Sequence, residues 1–156
     1  MANLILHGPA FSTYVRTVRL ALAEKGVDYD LQEIDFLSAP MPAEQLARHP
    51  FGKVPAMDHD GFGLYESLAI SRYIDEAFDG PALQPGDVKG RARMTQIFQI
   101  IDNYAYPSMI TKVLIQRVIM PKLGGDADEA VIAEGVGEAK TVLGELDKLL
   151  GGQTYF

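Results

Sequence analysis

The segment Phe51-Gly52-Lys53-Val54-Pro55, followed eleven residues after the proline by Glu66-Ser67, constrains this chain more than any other part of it. It reads as a loop that enters a strand through a Val-Pro bond. A hairpin over residues 54–58 and 63–65 then turns at Asp60-Gly61, and a helix opens on an acid and a hydroxyl. A cis bond at Val54-Pro55 would turn the Val54 N–H and C=O outward, where they can pair with a peptide backbone as a strand edge does. At the helix start, unpaired backbone N–H groups and the macrodipole attract a carboxylate near Glu66 and Ser67. Together these parts make a receptor for an extended peptide with free termini. Singly, each is also what a tight turn or an ordinary helix cap looks like, since serine is a preferred N-cap and glutamate suits the first turn.

The preceding residues supply the rest of a small α/β unit. An apolar run, Leu4-Ile5-Leu6-His7, is stopped by Gly8-Pro9, and a helix begins near Ser12. Val15, Val18 and Leu22 fall on one helical face, and Lys25-Gly26 gives a last-turn cation and a stop. Residues 29–35 read as a second strand, and residues 42–48 as a short helix that ends before Pro50. The helix after Glu66 carries Ile70, Tyr73, Ile74, Ala77 and Phe78 at i, i+3, i+4, i+7 and i+8. The order is β-α-β-α-β-β-α, which suits a right-handed parallel crossover first and an antiparallel pair last.

Beyond the Gly- and Pro-rich residues 79–86 the pattern turns wholly helical. A long helix carries Ile97, Phe98, Ile101 and Tyr104-Ala105, with a kink expected at Pro107. A break at residues 121–125 leads to Asp126-Ala127-Asp128-Glu129, which resembles a capping box. The last helix places Ala139, Val142, Leu143, Leu146, Leu149 and Leu150 on one face and stops at Gly151-Gly152. Two such helices cannot bury both sides of their apolar faces by themselves.

Composition narrows the function. The 156 residues suffice for one ordinary domain or for a small domain and part of another, and 47% are hydrophobic, enough for a core. No stretch approaches the length of a membrane span, and the N-terminus lacks the basic region of a signal peptide, so a soluble cytoplasmic protein is expected. With no cysteine the chain has neither a disulfide scaffold nor a Cys-x-x-Cys centre, and any thiol chemistry must use a thiol brought by the substrate. The net charge of −7 argues against nucleic acid or an anionic membrane surface as partner. His7, His49 and His59 show no metal-ligand spacing and read as structural, so no metal is expected.

Four stretches carry a family resemblance: Ser12-Thr13-Tyr14-Val15-Arg16, Glu24-Lys25-Gly26, Arg48-His49-Pro50-Phe51-Gly52-Lys53-Val54-Pro55 (without the family's asparagine) and Glu66-Ser67-Leu68-Ala69-Ile70. From about Asn3 to Phe78 the chain resembles the N-terminal domain of the cytosolic glutathione transferases, in particular serine-type classes such as phi, theta and zeta. Beyond Phe78 the likeness is general. The resemblance implies a thioredoxin-like glutathione-binding domain over residues 1–79, a linker over 80–86, and over 87–156 a partial version of the family's all-helical domain, whether the protein is short or longer than these residues.

It also implies a chemistry. A free thiol with a pKa of about 8.5 is only ~3% ionised at pH 7. Lowering that pKa to about 6.5 makes the thiolate the majority species, a change of ~2.7 kcal/mol. Ser12 stands where the serine-type classes place the hydroxyl that hydrogen-bonds the glutathione sulfur; a plain N-cap is its other role, and both are compatible. By the same likeness Lys53 meets the glycine carboxylate of glutathione and Val54, before Pro55, its cysteine backbone. Glu66 and Ser67 take the γ-glutamyl amine and carboxylate, and Arg16 braces Glu66 or the helix start unless it simply faces solvent. Two departures stand out: Pro40-Met41 where the phi pattern often has His-Lys, and Leu68 where related classes have arginine after Glu-Ser. Phe11, Phe36, Tyr106, Met109 and Val113 are candidates to line an apolar electrophile pocket, with plain core as the alternative for each. A homodimer keyed by Phe51 is a further implication. The implied activity is glutathione transfer to a small apolar electrophile. The alternatives are a glutathione-dependent isomerase, dehalogenase or peroxidase, or a non-catalytic glutathione-binding module.

Overall fold

The computed structural model describes residues 3–35 and 40–156. It divides at Gln84/Pro85 into two units. The first runs β1 (Leu4–His7), α1 (Thr13–Lys25), β2 (Asp30–Gln32), α2 (Ala43–Arg48), β3 (Ala56–His59), β4 (Phe62–Tyr65) and α3 (Ser67–Ala77), the element order of a thioredoxin-like domain. The sheet order is β2-β1-β3-β4. β1 and β2 are parallel, whereas β3 is antiparallel to both β1 and β4. β2 is shorter than the 29–35 span because it lies at the sheet edge and pairs only with Ile5, Leu6 and His7 of a four-residue β1. The β3–β4 turn places Asp60 at φ 52° and Gly61 at φ 85°, the two left-handed positions that a two-residue hairpin loop demands.

α1 and α3 owe their positions to apolar spacing. Val15, Val18, Ala21 and Leu22 of α1 and Ile70 and Ile74 of α3 join Leu4, Leu6, Val54 and Met57 in one buried core. Tyr73 and Phe78 pack against this core, but Ala77 stays exposed. The helix ends at Ala77, and Phe78 turns to extended backbone (φ −120°) and takes the last apolar contact itself. α1 stops at Gly26, whose φ of 65° is the left-handed cap that glycine adopts without steric cost.

A buried ion pair ties the two helices. Lys25 Nζ lies 2.8 Å from Asp75 Oδ1, with the side chains only 3% and 9% exposed. Asp75 also accepts from the Leu83 N–H at 2.8 Å and from Gln84 Nε2 at 3.0 Å. Burial alone would push the Asp75 carboxyl up; the bonds from Lys25, Leu83 and Gln84 outweigh it and bring the group below its ordinary value. These bonds hold much of the segment expected as linker to the first unit, so the division falls at Gln84/Pro85, inside residues 80–86.

The second unit is helical. α4 (Val88–Ile100) is capped by Asp87, which accepts from the Gly90 N–H at 2.9 Å. The sequence predicts a kink at Pro107; the structure shows instead a wider, π-helical winding from Ile101 to Ile119. Proline lacks an N–H and crowds the preceding turn of an α-helix. Here the buried Ser108 hydroxyl bonds the Tyr104 carbonyl (2.7 Å) and the Ala105 carbonyl (3.1 Å) beside it. The helix also runs past the predicted break, through Pro121 in the short α5 (Met120–Lys122). The chain turns afterwards, with Gly124 at φ 82°.

α6 (Glu129–Leu150) starts at Asp128, which accepts from the Ala130 and Val131 N–H groups at 2.9 and 3.1 Å. The box expected over residues 126–129 does not form: the cap is Asp128 with Glu129 first in the helix, and Val131 stands at the third helical position where a box needs its acid. α6 packs on the π segment through Ile132, Gly135 and Val142, all buried. A Cβ on Gly135 would fall 2.6 Å from Lys112 Cβ and 2.7 Å from the Ser108 carbonyl oxygen, so only glycine permits this approach. The predicted leucine face is therefore displaced: Leu146, Leu149 and Leu150 are half-buried, and Leu143 is 55% exposed. Among the described residues no helix is long and apolar enough to cross a membrane.

Candidate functional site

Strand register gathers the sequence-predicted residues of the first unit. His7 pairs with both Gln32 and Ala56, and Ala56 pairs with Tyr65, so one row of residues marks one end of the sheet. From that row β1 continues into Gly8 and on to Ser12, β3 is entered through Val54-Pro55, and β4 leads out to Glu66-Ser67. Three segments far apart in sequence thus meet at the carboxyl end of the parallel pair, where open α/β sheets bind ligands. Gly8 makes the junction close: a Cβ there would meet Val15 Cγ2 at 2.6 Å and Val54 Cβ at 3.1 Å.

Ser12 is the N-cap of α1. Its Oγ accepts from the Val15 N–H at a long 3.5 Å, and the residue is half-buried. Accepting there uses a lone pair and leaves the hydroxyl proton, which has no acceptor among the described residues, available to donate. Val54-Pro55 is cis. Val54 is 8% exposed, and among the described residues no backbone hydrogen bond joins its N–H or C=O. The loop before it is anchored from α2, where the buried Gln45 donates from Nε2 to the Lys53 carbonyl at 2.8 Å. The Lys53 side chain is exposed.

Glu66 is the residue held most unusually. It caps α3 with φ 74° and ψ 115°, a conformation sparsely populated by non-glycine residues and costing of the order of 1–3 kcal/mol. Its side chain is 63% exposed. Ser67 opens the helix and is buried, so the serine is the first helical residue and the glutamate the cap. Arg16 does not brace Glu66: it is exposed and has no ion pair or hydrogen bond among the described residues. The partner of Glu66 is His49, with Nε2 4.0 Å from Glu66 Oε1.

His49 and Gln45 are the residues that sequence reasoning missed. His49 is 2% exposed, its ring stacks at 4.7 Å on Tyr65 and edge-on to Phe51, and its Nδ1 has no partner among the described residues. Burial lowers its pKa; the Glu66 carboxylate pulls the other way, and Lys53 adds to the lowering. No local signal marked His49 or Gln45, since His49, directly before Pro50 at the end of α2, is buried only by contacts made across the fold. The other expected residues fall on both units. Phe11 is 63% exposed, and Phe36 lies outside the described residues. Tyr106, Met109 and Val113 are half-buried on the π segment of the second unit, where Val113 packs toward Gly135 of α6, as a core residue does. Among the described residues no group of three or more His, Asp or Glu side chains is placed to hold a metal ion.

Comparison with known proteins agrees with this fold. Residues 6–82 match the family model "Glutathione S-transferase, N-terminal domain". The chain is 33% identical over 144 residues to glutathione S-transferase 1 of Zea mays, spanning 92% of this chain and 67% of that one. It is 31% identical over 159 residues to a glutathione S-transferase of Hyoscyamus muticus, spanning 96% and 74%. Among solved structures, glutathione S-transferase-I bound with lactoylglutathione superposes with a TM-score of 0.83 at 30% identity, covering 98% of this chain and 73% of that one. Glutathione S-transferase I from mais in complex with an atrazine glutathione conjugate gives 0.80 at 30% identity, covering 95% and 70%. This chain belongs to the glutathione S-transferase family.

Proposed function

We propose that this glutathione S-transferase binds glutathione across the carboxyl end of its sheet and activates the thiol through Ser12. Val54 offers its backbone to the cysteinyl unit as a strand edge, and Lys53, which is exposed, attracts the glycine carboxylate. Ser67 and the free N–H groups of α3 receive the γ-glutamyl carboxylate, and Glu66 receives the γ-glutamyl ammonium. The Ser12 hydroxyl donates to the sulfur, which favours thiolate over thiol because a hydrogen bond to the charged form is the stronger one. With the thiol proton released to solvent, the thiolate attacks a carbon of an apolar electrophile. The C–S bond forms as that carbon's leaving group departs with the bonding pair, as chloride does from chlorodinitrobenzene. Exposed Phe11, one residue before Ser12, offers apolar surface beside the sulfur, and a structural neighbour solved with an atrazine glutathione conjugate supports this substrate class. The protein acts in the cytoplasm in detoxification, as a homodimer in which the 70% exposed Phe51 side chain is a contact.

The observation that carries this reading is the meeting of Ser12, Val54 and Glu66-Ser67 at one end of the sheet with Ser12 and Val54 groups left open there. Turnover of chlorodinitrobenzene with glutathione by the purified chain tests it. Ser12→Ala should leave glutathione affinity nearly unchanged and cut turnover about 10²-fold, because the lost bond is charge-assisted and strengthens with the thiolate. Glutathione retention with no turnover by the wild type would favour a binding module instead, and full activity in Ser12→Ala would remove Ser12 from the mechanism.

A further inference from the structure

His49 stands out among the buried groups because the proposed chemistry does not use it and yet it touches a residue that the chemistry does use. The side chain is almost fully buried, while the carboxylate it approaches, Glu66, is 63% exposed and free to meet a ligand. The contact is 4.0 Å, close enough for charge coupling and too long for a hydrogen bond. Its surroundings explain the orientation. Tyr65 of β4 covers one ring face at 4.7 Å and Phe51 stands edge-on at 6.1 Å, so Nε2 is held toward the start of α3 and Nδ1 is left without a partner among the described residues. The charged and titratable groups around the imidazole are Glu66 at the α3 cap, Lys53 in the loop before β3 and the phenol of Tyr65 on β4.

We propose that His49 is a positioning residue for the glutathione site, sharing the Glu66 carboxylate with the γ-glutamyl ammonium of the ligand, so that glutathione and a proton on His49 compete. This rests on the assignment of Glu66 to the ammonium. With His49 neutral, the Glu66 charge is available to the ligand. With His49 protonated, an imidazolium already sits beside that carboxylate, and a second cation there is repelled. The sign follows by linkage: the ligand prefers the deprotonated protein, so affinity falls as pH drops through the His49 titration, and ligand binding lowers the His49 midpoint further by the same factor. Burial places the titration below the ordinary histidine value, so glutathione binds unimpeded at neutral pH and weakens on acidification. With Glu66 well exposed, the coupling belongs at the weak end, about fivefold in affinity.

The test is an NMR titration of the His49 imidazole, assigned with His49→Asn or, should that variant not fold, His49→Gln. In the free protein, Glu66→Gln should lower the His49 midpoint, since the one attracting carboxylate is lost; an unchanged midpoint would overturn the coupling itself, independently of any ligand. S-methylglutathione, which cannot react, should lower the wild-type midpoint, and its analogue lacking the γ-glutamyl amine should not. Binding of S-methylglutathione by calorimetry with no change at His49 would overturn the proposal while leaving the glutathione site intact. No binding at all would overturn the site assignment on which it rests. S-methylglutathione has no thiol to titrate, so its affinity by calorimetry should fall toward an about fivefold limit as pH drops through the His49 midpoint read by NMR. His49→Asn should flatten that fall with little change in kcat at neutral pH, a split that general loss of packing would not produce.

Discussion

The two units of this protein bury their residues in different ways, and the difference explains why the chemistry is assigned to the first. A four-stranded sheet with helices against it closes ten residues into a core, six of them on α1 and α3. Every site segment leaves that core by a strand or helix end and so inherits its rigidity. The second unit is built on a helical hairpin, in which only Ala105, Ile132 and Val142 count as buried apolar residues, while Ile101, Tyr104, Leu114, Val118 and Leu143 are exposed. A helix presents one stripe to one neighbour, so two helices leave much of their apolar surface outside. What holds this pair is a close approach at Gly135 and the surface ion pairs of Lys112 with Glu134 and Glu138, at 2.8 and 2.6 Å. Exposed pairs of that kind contribute little each.

That contrast can be broken most severely at Asp75. Asp75→Ala removes one side of a buried pair and leaves Lys25 uncompensated, at a cost of about 3 kcal/mol, and it also releases Leu83 and Gln84. Hydrogen exchange should show the loss in α1 and α3 and little change in α6. The same group gives a pH signature. Its folded carboxyl lies below its ordinary value, so its stabilisation is complete above the unfolded value of about 3.9 and fades as pH falls below it. Denaturant midpoints of Asp75→Asn should therefore depend less on pH between about 5 and 2 than those of the wild type.

In the second unit the largest effect should come from Gly135. Gly135→Val forces Cβ into Lys112 and the Ser108 carbonyl and should cost about 2 kcal/mol. Gly137→Ala, on the same helix with nothing within 4 Å of the added Cβ, should instead stabilise by up to about 1 kcal/mol. If both substitutions behaved alike in thermal melts, the close approach would not be what joins these helices. The smallest effect on stability should be at Glu66. Glu66→Gly relaxes a φ of 74° but adds freedom to the unfolded chain, so folding free energy should change by less than about 1 kcal/mol. Glutathione affinity should nevertheless drop about tenfold, because in the proposed site the lost carboxylate holds the end of the ligand remote from sulfur. A large fall in stability with unchanged affinity would reverse the roles assigned here.

The contrast also separates what could be read in the sequence from what could not. Local signals carried the first unit: Ser12 and Gly26 as caps, Asp60-Gly61 as a hairpin turn, and the apolar spacing of Val15, Val18 and Leu22 each report on neighbouring residues only. Contacts across long separations were silent. Lys25 read as a helix-end cation, and nothing near it announced Asp75. His49 read as structural because its meeting with Glu66 depends on how α2 lies against the start of α3. In the second unit the leucine pattern of α6 was legible, but the site of closest packing was set by the absence of a side chain at Gly135, which periodicity does not weigh. The wide winding around Pro107 was likewise hidden, since the same residues are compatible with a kinked α-helix.

The central claim is that Ser12 makes glutathione a thiolate at neutral pH, and the ultraviolet absorbance of bound thiolate, titrated with pH in the wild type and in Ser12→Ala, tests it most directly. The account predicts a midpoint about two pH units below the ~8.5 of a free thiol in the wild-type complex, returning most of the way in Ser12→Ala, with glutathione still bound in both. The same midpoint in both proteins would contradict it.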